Sequence, residues 1–209
     1  MLPLDNVHII LNGVDEARFK PDTDRGQGFR LRYNVPLEAK LVLGMAGRLV
    51  KDKGHPLAFR VLQELLATKE NEDLYVLIAG NGTWAARYKE LGPNVKVLGP
   101  LSSAQLGDFY NALDIFVNPT LRTKGLDHTL IEAMLCGKPL LATHFDSIQK
   151  SVIVSSEFGY TFSLKIESLK RALQRVVEDG KDVLREKGLA CYQRSSRLFT
   201  GHKMASAYE

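Results

Sequence analysis

The sequence predicts an α/β fold with a doubly wound parallel sheet, and two observations support this prediction. Short apolar runs rich in β-branched residues recur along the chain, and they are continuous rather than alternating, as strands covered on both faces require. Helix-like stretches lie between these runs, and such alternation is typical of a parallel sheet with helices on both faces. The predicted strands are residues 7–11, 41–46, 74–79, 95–98, 115–118, 139–142 and 152–154.

Three internal helices are predicted from apolar residues at helical spacing and from signals at the helix ends. The first covers residues 56–68, and the second covers residues 103–113 after a capping serine at Ser102 or Ser103. The third covers residues 129–136 and ends before a glycine and a proline, which terminate helices.

The last part of the chain is predicted to be helical. Strand-like runs fade after Gly159, and two amphipathic patterns follow over residues 166–179 and 181–199. We interpret the segment of about 166–209 as C-terminal helices packed on the sheet. Residues 1–209 are therefore expected to form one domain with a core at about 7–180.

Composition limits the classes of function. The 209 residues include 28 Lys and Arg against 24 Asp and Glu, which gives a net charge of +4. The basic residues are dispersed, which suits a small anionic ligand and does not favour nucleic acid as a partner. Two distant cysteines, Cys136 and Cys191, favour neither a disulfide framework nor a zinc site, and they indicate a reducing compartment.

Membrane segments are not expected in this sequence. No run approaches the roughly 18 apolar residues of a membrane span, and the first residues lack the pattern of a signal peptide. We therefore expect a chain without a membrane span, with a cytoplasmic or cytosol-facing location favoured.

A first candidate ligand site lies at residues 120–139, where a turn with Gly125 precedes a helix that begins near Asp127 to Thr129. Free backbone N–H groups and the positive end of the helix dipole make such a terminus suitable for phosphate. Glu132, about one turn into the helix, has a carboxylate suited to a vicinal diol such as a ribose. The alternative is that Asp127 only caps the helix and Glu132 is a solvated surface residue.

A second candidate site is the basic segment of residues 47–55, which follows a predicted strand and precedes a predicted helix. Arg48 and Lys53 are expected at the carboxyl edge of the sheet, where open α/β folds bind ligands. The alternative is a hydrated basic loop. Because both candidate sites are predicted at the same sheet edge, together they favour a diphosphate ligand.

Several further motifs follow one another along the chain. They are Asn12-Gly13-Val14-Asp15, Gly47-Arg48-Leu49 with Lys53-Gly54, Ala79-Gly80-Asn81-Gly82, Leu98-Gly99, Asp114-Ile115-Phe116-Val117-Asn118-Pro119-Thr120, and Glu132-Ala133-Met134 with Cys136-Gly137-Lys138-Pro139. In order and spacing, these motifs resemble the C-terminal domain of the group 1 retaining glycosyltransferases, a branch of the GT-B enzymes. The resemblance covers roughly residues 7–180, and several motifs in order are more specific than any one alone.

The resemblance implies a Rossmann-like domain that binds a nucleoside diphosphate sugar, with UDP or GDP as the nucleotide, for transfer with retained configuration. It also implies a separate N-terminal domain, absent from this sequence, that binds an unknown acceptor. Arg48 and Lys53 are the implied catalytic pair, which stabilises charge on the leaving diphosphate. The implied donor-binding residues are Gly47, Gly99, Lys124, Gly125, Leu126, Thr129 and Glu132.

Three positions depart from the family pattern. Lys124 stands where the family has the first glutamate of a pair, which contacts the transferred sugar, and this change alters donor specificity or removes turnover. One extra residue lies between Pro119 and Gly125. Asp146-Ser147 replaces a glycine pair, so the close backbone approach that glycine permits is not expected there.

Two further motifs are interpreted as local structure. Gly80-Asn81-Gly82-Thr83-Trp84-Ala85 matches a dinucleotide fingerprint, but the acidic residue expected about 20 positions later is absent, so a turn is favoured over an NAD site. Asp22-Thr23-Asp24 resembles a metal-binding motif, but it lies in the polar segment 20–28, which is predicted to be a loop. We therefore expect neither a metal nor a cofactor.

Two functional hypotheses remain open at this point. The first is the donor half of a glycosyltransferase. The second is a binding or interaction module of the same fold without turnover, because of Lys124.

Overall fold

The computed structural model describes residues 12–121 and 127–206. Its centre is a six-stranded parallel sheet with the strand order β3-β2-β1-β4-β5-β6. This confirms the predicted doubly wound sheet, because the chain builds outward from β1 in both directions. The strands are β1 Leu41–Ala46, β2 Leu74–Ala79, β3 Val95–Gly99, β4 Ile115–Asn118, β5 Leu140–Thr143 and β6 Gly159–Phe162.

Helices cover both faces of the sheet. Two short 3₁₀ turns, Lys51–Lys53 and Lys69–Asn71, flank the second α-helix. The α-helices are α1 Thr23–Arg32, α2 His55–Leu66, α3 Ala85–Lys89, α4 Ser103–Ala112, α5 His128–Leu135, α6 Asp146–Ser151, α7 Ile166–Leu198 and α8 Gly201–Ser206.

Two apolar cores form because successive strand residues point to opposite faces of the sheet. Val42 and Phe116 pack with α1, α4 and α5 on one face. Leu43 and Val117 pack with α2 and the first half of α7 on the other face. The strands are therefore buried on both sides, which explains why the apolar runs in the sequence are continuous.

Helix ends follow the predicted signals. Ser102 caps α4, and its side chain and that of Gln105 bond reciprocally to each other's backbone N–H groups. Helix α7 joins the two predicted C-terminal helices, with a non-helical residue at Gly180, where φ is 70°. The predicted boundary between the two helices at residue 180 therefore corresponds to a kink at Gly180 within α7.

The predicted loop at residues 20–28 is wrong, since most of this segment lies in α1. Asp22 caps the helix by accepting a hydrogen bond from the Arg25 N–H. The side chain of Asn111 in turn accepts one from the Asp22 N–H at 2.8 Å. A local cap and a tertiary contact therefore stabilise a helix whose sequence contains two glycines.

The predicted strand at residues 152–154 is also wrong. Val152 is buried at the end of α6, and the sixth strand is β6, after the point where strand-like runs fade. Asp146-Ser147 begins α6 rather than a tight loop. The predicted strand at 7–11 lies outside the described residues, and the extent of the single domain over 1–209 stays a prediction.

Candidate functional site

The candidate site lies between the carboxyl ends of β1 and β4. These neighbouring strands lead into connections that run in opposite directions across the sheet, which makes this the topological switch point of the fold. Open α/β sheets bind ligands in the crevice at this position. The loop after β1 contains Arg48 and Lys53, and the connection after β4 leads to α5.

The two connections touch each other at Gly54 and Pro119. Gly54 has a φ of 78°, and an added Cβ would lie 1.8 Å from the Pro119 carbonyl oxygen. The Leu121 N–H also donates to the Asp52 carbonyl oxygen at 3.1 Å. Glycine at position 54 therefore allows the basic loop to approach the chain that leads to α5.

Lys53 forms an ion pair with Asp127, the N-cap residue of α5. The Lys53 Nζ lies 2.7 Å from Asp127 Oδ2, and each side chain is about a quarter exposed, at 25% and 23%. Burial opposes ionisation of Asp127, but the hydrogen bond and the charge of Lys53 outweigh it, so the pKa of Asp127 is lowered. This ion pair therefore joins the basic loop, residues 47–55, to the N-terminus of α5.

The N-terminus of α5 is ordered by side-chain hydrogen bonds. Asp127 Oδ1 accepts from both the Thr129 N–H, at 3.3 Å, and the Thr129 hydroxyl, at 2.9 Å. Asn118 Nδ2, at the end of β4, donates to the Thr129 Oγ1 at 3.3 Å. These contacts hold the first turn of α5 beside the carboxyl end of the sheet.

Glu132 lies on the second turn of α5 and is only partly buried. The hydroxyl of Tyr110, a fully buried residue of α4, donates to Glu132 Oε2 at 2.7 Å. Burial raises the pKa of Glu132, although the hydrogen bond from Tyr110 and the charge of His128 act in the opposite sense. The carboxylate is thus oriented by the core rather than solvated at the surface.

Arg48 is exposed, and its guanidinium makes no hydrogen bond or ion pair with the described residues. The backbone of Arg48 is hydrogen-bonded to the buried side chain of His55. His55 Nδ1 lies 2.9 Å from the Tyr88 hydroxyl. Burial is the largest effect on His55 and lowers its pKa to about 4. A neutral histidine therefore supports the loop from which Arg48 projects.

Two glycines leave open space at the carboxyl edge of the sheet. Gly47 directly follows β1 and has a φ of 129°, and Gly99 is the last residue of β3 and has a φ of 74°. An added Cβ at either position would meet nothing within 4 Å. A ligand can approach the backbone at both points.

The two other motifs of the sequence have structural roles. Gly80 and Gly82 form a turn that packs against the loop after β1. A Cβ added at Gly80 would lie 1.8 Å from the Gly47 carbonyl oxygen, and one added at Gly82 would lie 2.4 Å from the Leu49 carbonyl oxygen. Asp22 is the N-cap of α1, so the loop predicted for the Asp22-Thr23-Asp24 motif is wrong.

Residues 12–121 and 127–206 contain no group of three or more His, Cys, Asp or Glu side chains arranged to hold a metal ion. Across the same ranges, every helix is too short or too polar to cross a membrane.

A family model described as "Glycosyl transferases group 1" matches residues 32–189, which include β1 to β6 and most of α7. The chain belongs to this family. The match contains both loops of the crevice and the helix that bears Glu132, so the candidate site lies within the family region.

A curated member of the family is similar to this chain. The D-inositol 3-phosphate glycosyltransferase of Corynebacterium jeikeium (strain K411) is 30% identical over 149 residues, which are 66% of this chain and 35% of that protein. The chain therefore spans about a third of the length of this relative.

Two solved structures share the fold of this chain. Anabaena HepE in complex with UDP and glucose has a TM-score of 0.80 at 18% identity, over 96% of this chain and 55% of that chain. The C-terminal domain of a glycosyl transferase group 1 family protein (LpcC) from Francisella tularensis has a TM-score of 0.74 at 22% identity, over 90% of this chain and 100% of that chain. The chain thus has the GT-B C-terminal domain fold.

The predicted site residues divide into three groups in the structure. Lys53 and Thr129 are joined through Asp127, whereas Glu132 is oriented from α4. Arg48, Gly47 and Gly99 lie at the carboxyl edge of the sheet, and their roles stay predictions. Lys124, Gly125 and Leu126 lie outside the described residues.

Three residues support the site without having been predicted as site residues: Tyr110, Asn118 and His55. Tyr110 and Asn118 belong to apolar segments predicted as core, and no local motif marks their hydroxyl or amide as directed towards the site. His55 follows Lys53-Gly54, and only the three-dimensional packing shows that it is buried against Tyr88.

Proposed function

We propose that this chain binds the nucleoside diphosphate part of a sugar donor and takes part in transfer of that sugar with retained configuration. The observation that carries the proposal is the convergence of Lys53 and the N-terminus of α5 at the switch point of the sheet, with their contact through Asp127 at 2.7 Å. Ammonium groups and helix N-termini are two common protein partners of phosphate.

The proposed roles follow from the position of each group. Arg48 and Lys53 stabilise the negative charge that develops on the leaving diphosphate, which is a large term in group transfer. Glu132 accepts hydrogen bonds from the ribose hydroxyls, and Tyr110 fixes its orientation. Gly47 and Gly99 let the donor approach the backbone closely.

The donor nucleotide is proposed to be UDP or GDP. HepE, which shares the fold, binds UDP in its solved structure, and the resemblance stated from the sequence implies UDP or GDP. The basic loop is proposed to supply the positive charge that a divalent metal supplies elsewhere, so neither a metal nor a cofactor is required.

The acceptor is proposed to bind to an N-terminal domain. The chain spans 55% of the HepE chain and 35% of the inositol phosphate glycosyltransferase, and in both the remaining length is available for such a domain.

A second candidate function is a non-catalytic module that binds a nucleotide or a partner without sugar transfer. The observation that favours it is Lys124, a cation at the position where the family resemblance implies a sugar-contacting glutamate. The enzyme requires both nucleotide binding and sugar transfer, whereas the module predicts nucleotide binding, or none, and no transfer.

Two measurements test these functions. Calorimetric titration of the chain with UDP, GDP and ADP is expected to show binding of at least one, and no binding at millimolar concentration would refute the donor site. Transfer from the bound nucleotide sugar is then assayed with the chain joined to its natural N-terminal half. Binding with transfer supports the enzyme, whereas binding without transfer supports the module.

A further inference from the structure

The carboxylate of Asp127 occupies a position that suits a phosphate. Asp127 Oδ2 accepts from the Lys53 ammonium at 2.7 Å, while Oδ1 accepts from the Thr129 N–H and the Thr129 hydroxyl. An ammonium, a helix N-terminal amide and a hydroxyl are the donors that phosphate oxygens accept from in proteins. Each of these donors is already used by one side chain of the protein itself.

We propose that Asp127 is an internal anion that competes with the donor diphosphate for Lys53 and the N-terminus of α5. The inference rests on the proposed function, because it concerns the same crevice. It adds a residue that sets the affinity of the site and that none of the site roles above includes.

Competition follows from charge and partial burial. A diphosphate that reaches Lys53 must either displace the carboxylate of Asp127 or lie beside it, and like charges a few ångströms apart repel each other. Both members of the pair are about three-quarters buried, at 25% and 23% exposure, so solvent screens this repulsion less than at the surface. The ion pair also neutralises the charge that would attract the diphosphate.

Asp127 could instead position Lys53 for phosphate, and this role predicts the opposite change in nucleotide affinity. If Asp127 served to hold Lys53 in the position that phosphate needs, removal of its charge would weaken nucleotide binding. If Asp127 competes, removal of its charge tightens binding. The sign of the change therefore separates the two roles.

Asp127→Asn is the informative variant because asparagine is also a favoured N-cap residue. Its side-chain oxygen can still accept from the two donors of Thr129, but it has no charge for Lys53. Asp127→Ser, another uncharged N-cap residue of different shape, is a second variant for which we expect the same sign. Asp182→Asn is the matched control, since this aspartate is 94% exposed on α7 and away from the crevice.

Calorimetric titration with UDP and GDP tests the inference. We expect both Asp127 variants to bind the preferred diphosphate about tenfold more tightly than the wild type, which corresponds to about 1.4 kcal/mol. The matching nucleosides, which have no phosphate, are expected to bind the wild type and the variants equally, and Asp182→Asn is expected to match the wild type.

Unchanged or weaker diphosphate binding by the two Asp127 variants, with binding by the wild type intact, would overturn the inference and leave the proposed function standing. An equal gain in Asp182→Asn would also overturn it, because net charge alone would then explain the effect. If neither wild type nor variants bind a diphosphate at millimolar concentration, the proposed function fails and the inference fails with it.

Discussion

The Tyr110 hydroxyl donates a hydrogen bond to Glu132 Oε2 at 2.7 Å, which links the buried core of α4 to the exposed edge of α5. Tyr110 itself packs edge to face against Phe19, Phe109 and Phe116. The phenol is therefore fixed by aromatic packing, and the carboxylate it holds is fixed in turn. A preoriented carboxylate loses less conformational entropy when a ligand binds.

Glu132→Gln is expected to weaken binding of the preferred nucleoside diphosphate by about tenfold, because the charged acceptor of the ribose hydroxyls is lost. The matched ligand is the 2′,3′-dideoxy form of the same nucleotide, which has no diol to bind. Calorimetry is expected to show little change in its affinity. Equal losses for the two ligands would show that Glu132 does not contact the ribose.

Arg48→Ala is expected to weaken diphosphate binding by about tenfold, because a charged hydrogen-bond donor to phosphate is removed. Arg48 is exposed and has no side-chain partner in the described part of the chain, so the free energy of unfolding should change by less than about 0.5 kcal/mol. Arg60→Ala, which removes the same charge from the exposed face of α2, is the control. Equal effects of the two variants on affinity would exclude a specific role for Arg48.

Gly54→Ala is expected to destabilise the fold by about 2 kcal/mol or more, since alanine at a φ of 78° is strained and its Cβ would clash with the Pro119 carbonyl oxygen. Gly28→Ala is the matched control, because it lies in α1 with nothing within 4 Å of an added Cβ. Urea unfolding should show an unchanged or higher stability for Gly28→Ala. A normal stability for Gly54→Ala would contradict the close approach of the two loops.

His55 is expected to make the fold sensitive to acid. Its folded pKa of about 4 lies below the ordinary value of 6.5, so between these values the unfolded chain binds a proton that the folded chain does not. The stability contribution is therefore complete above pH 6.5 and is lost as the pH falls towards 4.

Urea unfolding at pH 7 and pH 5 measures this effect. Between pH 7 and pH 5, the free energy of unfolding should fall by about 2 kcal/mol more in the wild type than in His55→Gln, because glutamine does not titrate. Equal losses in the two proteins would show that His55 is not held neutral in the folded state.

Strands β1 to β5 were predicted from the sequence, whereas α1 and β6 were not. Five of the predicted strands correspond to β1 to β5, because buried parallel strands produce continuous apolar runs. The segment of α1 contains two glycines and few apolar residues, and its helix depends on contacts with α4 that no local pattern contains. Strand β6 has the sequence Gly-Tyr-Thr-Phe, whose two middle residues are only partly buried, so it does not produce a continuous apolar run.

The candidate site is predictable in its parts but not in its internal contacts. The helix N-terminus and the basic loop are local patterns, and the rule for parallel sheets places both at one edge. The ion pair between Lys53 and Asp127 joins residues 74 positions apart, so no spacing in the sequence marks it. The same holds for Tyr110 and Glu132, which are 22 positions apart on different helices.

Titration of the ¹⁵N-labelled chain with UDP and GDP, followed by the chemical shifts of backbone amides, tests whether the donor diphosphate binds at the switch point of the sheet. We expect saturable shifts for one of the two nucleotides, concentrated at Gly47, Arg48, Lys53, Thr129 and Glu132. The amide shifts at the amino edge of the sheet, including Leu41 and Leu140, should stay unchanged. Shifts concentrated away from the switch point, or none at millimolar nucleotide, would show that the donor does not bind there.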